Sequence, residues 1–179
     1  MNTIWTPQLE AEAIRILTII ETEVKERRLP RAVYEAFVRT HKKISTELVL
    51  YNEKGKIWLI RRPSKDINPD DPYAGEWHLP GVVHNAHETT AQAFDRLFRQ
   101  EIGEGELDEH SEVKTFEIDD GRRGLYCALL HVCRLRMGMP HNEGDADFFA
   151  PSALPTPIVT FHKDVLIPEA LKVINAAGF

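Results

Sequence analysis

A chain of 179 residues with 42% apolar residues and three Trp is long enough for one domain plus an extension, and too apolar for global disorder. Folding such a chain buries roughly 70% of its unfolded surface, enough for a core without staples. Its 22 basic and 28 acidic residues leave a net charge of −6, which argues against a general nucleic-acid binder but leaves room for a local basic pocket. No run of about 18 apolar residues suggests a membrane span, and the opening MNTIWTPQLEAEAI lacks a secretory pattern, so a cytoplasmic location is expected.

In chain order, residues 7–28 carry a helical period through Leu9, Ala13, Leu17, Ile20 and Val24. Pro30 opens a second short helix with Val33, Phe37 and Val38 on its inner face. Residues 1–43 thus read as a helical hairpin extension that packs on the domain, lids a site or mediates a homodimer; residues 44–179 read as the domain proper. Ser45–Asn52 and Lys56–Arg62 are β-rich runs joined by the hairpin signature Asn52-Glu53-Lys54-Gly55. Residues 63–75 hold three Pro and read as a surface loop, and Glu76–Val83 reads as one short strand. A helix over 90–102 stops at Gly103; strands at 112–119 and 124–136 follow, joined by Asp119-Asp120-Gly121. A polar loop at 138–147 precedes a last helix from Pro168 to Ala177. Strands interleaved with helices, yet including hairpins, predict an α/β fold with a mixed sheet and helices on both faces. Cys127 and Cys133 sit on one strand, too far apart for a disulfide, and read as buried free thiols.

The 90–102 helix breaks two rules at once. Phe94, Leu97, Phe98 and Ile102 form its inward stripe, and Glu101 projects between Phe94 and Leu97, inside that stripe. The same carboxylate occupies the last turn, where the helix dipole disfavours an anion. Such a placement asks for a compensating cation, an Arg or a metal; a salt-bridged Glu at a frayed helix end is the plainer alternative.

Together, Pro80-Gly81, Glu88, Arg96, Glu101 and Gly103 resemble the Nudix box: Gly, five residues, Glu, seven residues, then Arg-Glu-apolar-any-Glu-Glu-any-Gly-apolar. The approach WLIRR and the turn EWHLPG are similar to the segments that lead into that box, and the resemblance extends over residues 45–155. It implies a Nudix-type α/β/α sandwich around a mixed sheet. The chain departs from the pattern at Val82 for the first Gly, Leu97 and Gln100 for two helical Glu, and Glu104 for the final apolar residue. The run Ala93-Phe94-Asp95-Arg96-Leu97-Phe98-Arg99-Gln100-Glu101-Ile102-Gly103 resembles the GDP-mannose mannosyl hydrolase branch, whose members use one Mg²⁺ and displace at the sugar carbon.

Carried over position by position, the resemblance implies Mg²⁺ held by Glu101, the Val82 carbonyl and Asn142. It implies Arg96 in the catalytic machinery, and substrate contact from Arg61 or its neighbour Arg62, whose planar guanidinium suits phosphate. The general base falls on Glu143, with His141 one residue earlier and better matched in pKa; a solvated turn is the plainer reading of that segment. Trp77 and Tyr73 are stacking candidates for a nucleobase or ordinary aromatics, and His78, His84 and His87 are rim groups or a His-rich metal site. The expected activity is Mg²⁺-dependent hydrolysis of a small nucleoside diphosphate linked to another group, such as a sugar cleaved at carbon. The alternatives are P–O cleavage, with Glu88 and loop acids recruited, and a ligand-binding module without turnover.

Overall fold

The computed structural model describes residues 5–26, 29–30, 32–33, 36, 42–85, 87–103, 105–122, 124–138, 140 and 145–176. Helix α1, Pro7–Glu26, begins where expected: Pro7 needs no amide partner in the first turn, and Thr6 Oγ1 accepts the Leu9 N–H at 3.2 Å. Leu9, Ile14, Ile16, Leu17 and Ile19 on it are exposed. Of the helix expected after Pro30, residues 32, 33 and 36 are helical and Val33 is exposed, whereas Phe37 and Val38 lie outside the described residues. No described helix is long and apolar enough to cross a membrane.

The domain is built on a mixed sheet of seven strands: β1 Lys43–Tyr51, β2 Ile57–Arg61, β3 Trp77–His78, β4 Gly81–Val83, β5 Glu106–Asp120, β6 Gly124–Met137 and β7 Ala146–Phe149. The path runs β3-β2-β1-β6-β5, with β4 on β1 and β7 on β2. Among the described strands, β1 and β6 pair in parallel and the other pairings are antiparallel, while Trp77 makes an isolated parallel bridge to Ile158. The β1–β2 turn forms as its sequence predicts. Asn52 Oδ1 accepts the N–H groups of Lys54 and Lys56, and Gly55 takes the positive φ of 66° that a side chain would resist.

The segment Glu76–Val83, expected as one strand, divides at Leu79-Pro80 into β3 and β4. Pro80 has no N–H for a ladder, although its carbonyl still accepts the Leu48 N–H at 2.9 Å. The division lets β3 pair with β2 while β4 crosses to β1, placing Val82 opposite Thr46 and Gly81 opposite Glu47.

Alternation along β1 assigns its residues to two cores. Leu48 and Leu50 meet Ala93, Leu97 and Ile102 of the helical segment beginning at α2, Thr90–Leu97. Val49 and Tyr51 meet Leu166 and, on α3 (Ile167–Ala176), Ile167, Ala170 and Ile174. Each fully buried Leu or Ile there contributes about 1.5–3 kcal/mol of transfer free energy, which fixes helices on both faces of the sheet. Both cysteines are free thiols, and burial pushes Cys133 up to about 12.

Candidate functional site

Thr89 starts α2 with a reciprocal cap. Its Oγ1 accepts the Gln92 N–H at 3.3 Å, and Gln92 Oε1 accepts the Thr89 N–H at 2.9 Å. The helix does not run on to Ile102 in one geometry, as the apolar period suggests. From Phe98 to Ile102 it widens into a π-turn, closed by Gly103, whose N–H bonds Phe98 O at 2.8 Å and whose φ is 73°. Leu97 and Ile102 both stay fully buried across this change.

Glu101 sits on the π-turn, half-buried. Its carboxylate accepts no hydrogen bond among the described residues. Burial raises its pKa above the ordinary value of 4.5, and the positive charge of Arg62 counters that only in part. Arg62 is also engaged elsewhere, since its Nη1 bonds the buried Asp71 at 3.0 Å. Glu101, expected from the sequence as an inward-facing acid, thus stands half-buried and without a hydrogen bond among the described residues.

Arg96 is held by partners within the protein. Its Nε and Nη2 each donate to Glu88 at 2.8 Å, Nη2 also donates to the Val83 carbonyl at 2.8 Å, and Nη1 reaches Gln100 Oε1 at 3.5 Å. The guanidinium of Arg96, expected in the catalytic machinery, thus ties the loop before α2 to strand β4. Glu88 also accepts the Asn85 N–H at 2.8 Å, and the Arg96 hydrogen bond is the main cause of its lowered pKa.

Val82 has a buried side chain, and its carbonyl faces the sheet. The flanking bonds His84 N–H to Ile44 O and Leu48 N–H to Pro80 O put Thr46 and Val82 in a hydrogen-bonded pair, directing the Val82 carbonyl at Thr46. By the same alternation the Gly81 and Val83 carbonyls point away from β1, and Arg96 takes the second of them. The backbone oxygen left on that open edge is thus Gly81's, one residue from the position expected.

Of the two adjacent arginines, Arg61 bonds Gly75 O at 3.1 Å and the exposed Asp145 at 3.3 Å, away from the cavity described below. Arg62 lines that cavity. Trp77 packs edge-on against Phe149, centroids 4.9 Å apart, at the margin of the α3-side core, and does not line the cavity described below. His84 meets Thr46 Oγ1 at 2.8 Å, His87 takes a φ of 66°, and His78 is buried, so the three histidines do not converge. Among the described residues, no three His, Cys, Asp or Glu side chains are grouped to hold a metal. His141, Asn142 and Glu143 lie outside the described residues.

A cavity of about 640 Å³ opens between β4, the end of the β5–β6 hairpin and the segment leading into α3. Glu47 and His162 line it and were absent from the sequence-derived site. Their signal was faint: Glu47 lies in the row Lys43, Ser45, Glu47, polar residues at positions whose continuation, Val49 and Tyr51, is core.

The family model for the NUDIX domain matches residues 41–167. Among solved structures, the MutT NUDIX hydrolase from Burkholderia pseudomallei is 22% identical, covering 74% of this chain and 98% of that one, with a TM-score of 0.58. The NUDIX domain of Shewanella oneidensis NrtR, complexed with ADP ribose, is 15% identical over 82% of this chain and 99% of that one, TM-score 0.60. An ADP-ribose pyrophosphatase from Streptococcus suis is 19% identical over 78% and 94%, TM-score 0.50. A comparison with curated proteins finds no match. The family model spans most of the chain, and the mixed sheet with its capped helix and Arg96–Glu88 pair carries the pattern that the box residues suggest: the chain belongs to the NUDIX domain family.

Proposed function

We propose that the chain is a Mg²⁺-dependent hydrolase of a nucleoside diphosphate linked to another moiety, cleaving a nucleotide sugar at the sugar carbon. The observation that carries this reading is Glu101, a half-buried carboxylate with a raised pKa and no hydrogen-bond partner among the described residues. Its hard oxygens fit Mg²⁺, which keeps several waters and needs few protein ligands. Glu101, the Gly81 carbonyl on the open edge of β4 in place of that of Val82, and Asn142 would hold it. When bound, the ion neutralises charge on the diphosphate leaving group. Arg62, rather than Arg61, contacts phosphate in this reading, while His141 or Glu143 takes the proton of the attacking water. Residues 44–179 act as the catalytic domain, with residues 1–43 as its extension.

The carbon-displacement version rests on Leu97 and Gln100. With Leu97 fully buried and Gln100 neutral, Glu101 is the one carboxylate among the box's three helical Glu positions. The ADP ribose bound to the Shewanella NUDIX domain supports a diphosphate-linked ligand as the class. The test is hydrolysis in ¹⁸O water: label in the released sugar is expected, and label in a phosphate would replace this reading by P–O cleavage. The same two neutral positions suit a module that binds without turnover, for which tight ligand binding and no product under any divalent metal would be found.

A further inference from the structure

The β5–β6 hairpin overhangs the sheet it belongs to. β1 begins at Lys43, opposite Tyr126, and pairs with β6 from there onward. Nearer the turn, Asp119 pairs with Leu125 and Asp120 with Gly124, with no third strand beside them among the described residues. A two-stranded ribbon is marginal in water unless something holds it. The backbone at its end is not wedged into the domain, since a Cβ on Gly121 or Gly124 would meet nothing within 4 Å. Even so, Ile118, Asp119, Gly121 and Arg122 of this ribbon form one wall of the cavity.

The rim that faces the ribbon is braced. Asp71, 3% exposed, accepts both Arg62 Nη1 and the Tyr73 N–H at 3.0 Å. The Asp71 carbonyl accepts the Ala74 N–H at 3.1 Å, the Tyr73 carbonyl accepts the Glu76 N–H at 3.0 Å, and the Glu76 carbonyl accepts the Arg62 N–H at 3.0 Å. Arg122 reaches from the ribbon to this rim. Its Nη1 donates to Glu76 Oε1 at 2.7 Å and to the Pro72 carbonyl at 3.0 Å, and its guanidinium lies 4.7 Å from the centre of the Tyr73 ring. One side chain thus grips three residues of the braced turn. The Arg122 side chain is 51% exposed, and an ion pair or cation–π contact in reach of water holds only weakly. The grip is therefore specific in geometry and easily broken, and it joins an overhanging ribbon to a fixed rim.

We propose that the end of the β5–β6 hairpin is a strap over the cavity and that Arg122 is its latch. The strap turns where β6 leaves β1, at Tyr126, whose hydroxyl is tied to the sheet by Lys43 Nζ at 3.0 Å. With Arg122 on Glu76, Pro72 and Tyr73 the cavity wall is complete; when that grip breaks, the ribbon lifts from the rim and the cavity opens on that side. A ligand then enters and leaves through the open form, so the latch sets both rates and leaves the affinity nearly unchanged. The closure stands on the contacts above alone; its service to nucleotide exchange rests on the nucleotide reading.

Two measurements on the full chain test this, with wild type, Arg122→Met and Glu76→Gln. The first needs no ligand: amide hydrogen exchange by mass spectrometry, read separately for the ribbon and for the turn over residues 71–76. Arg122→Met is expected to speed exchange in the ribbon about tenfold and to leave the turn within about twofold of wild type. Salt should speed exchange in the wild-type ribbon and leave that of Arg122→Met unmoved, since an exposed ion pair is screened. Unchanged exchange in the ribbon, or equal loosening of ribbon and turn, overturns the strap. The second is stopped-flow binding and chase of a fluorescent N-methylanthraniloyl ADP without metal. Association and dissociation are both expected to quicken about fivefold in Arg122→Met, with Kd within about twofold. Faster dissociation alone would make Arg122 a ligand contact and overturn the latch. If folded wild type does not bind the probe, the nucleotide reading falls while the exchange measurement still decides the strap. Glu76→Gln is expected to shift the same readouts in the same direction by less, and it carries both tests if Arg122→Met does not fold.

Discussion

Arg96 grips Glu88 in a fork of two hydrogen bonds, both 2.8 Å, and the same guanidinium holds the Val83 carbonyl. These two box residues therefore join the loop before α2 to the sheet edge and set where the helix starts. Arg96→Met is expected to destabilise the fold by about 1–3 kcal/mol, less than a fully buried pair because Arg96 keeps some solvent contact. The folded pKa of Glu88 is depressed, so its contribution is present above the ordinary glutamate value of 4.5 and is lost as pH falls through the lower folded value. Urea melts from neutral to acid pH check this: the variant should lose less stability over that range than the wild type.

Leu97 and Gln100 occupy positions where the box pattern has Glu, but their surroundings differ. Leu97 is fully buried among Leu48, Leu50 and Ile102, whereas Gln100 is exposed on the π-turn. Leu97→Glu should cost about 3 kcal/mol or more, or abolish folding, because a carboxylate would enter an apolar core. Gln100→Glu should stay within about 0.5 kcal/mol of wild type. Thermal melts of the two variants distinguish the sites directly.

Arg62 lowers the pKa of Glu101 through its charge, against a larger effect of burial. Removing that charge in Arg62→Met should raise the pKa of Glu101 further. The acidic limb of the pH–rate profile should then move to higher pH, in addition to any loss of substrate affinity. An acidic limb at the wild-type position would dissociate Arg62 from Glu101.

Gly81 and Glu47 interlock across the β1–β4 pair. In Gly81→Ala the new Cβ would stand 2.2 Å from Glu47 Oε2 and 2.8 Å from Cδ, so the carboxylate must move. A loss of about 1–3 kcal/mol is expected, with most of it relieved in the Glu47→Ala background. A double-mutant cycle with no coupling would argue that the strand shifts instead.

How far the sequence spoke for this molecule depends on which forces act locally. The hairpin at Asn52–Gly55, the Gly103 stop and the two-faced sheet follow from turn chemistry and apolar alternation, which are written in neighbouring residues. The π-turn was not legible, because Phe94, Leu97, Phe98 and Ile102 keep an α-helical period that the backbone then departs from. The division of Glu76–Val83 was foreshadowed only by Pro80, whose missing N–H marks a break without saying which strand each half joins. Glu101 was found because a charge inside an apolar stripe is a local contradiction. Glu47 and His162 were not, because they lie 115 positions apart and meet only through the crossing of β4 and the return of the chain before α3.

Glu101→Gln tests the central claim most directly. The folded carboxylate has a raised pKa, so its ionised form costs stability that grows as pH rises through that value; the amide removes the cost. The measurement is product formation from a panel of nucleotide sugars, dinucleotides and nucleoside triphosphates, with and without Mg²⁺, for wild type and variant, alongside their metal-free melting temperatures. The account predicts Mg²⁺-dependent release of a nucleoside diphosphate by the wild type, with turnover falling at least about a hundredfold in the variant. It also predicts a melting temperature for the variant no lower than that of the wild type. Unchanged turnover in Glu101→Gln would contradict the account, whatever products were formed.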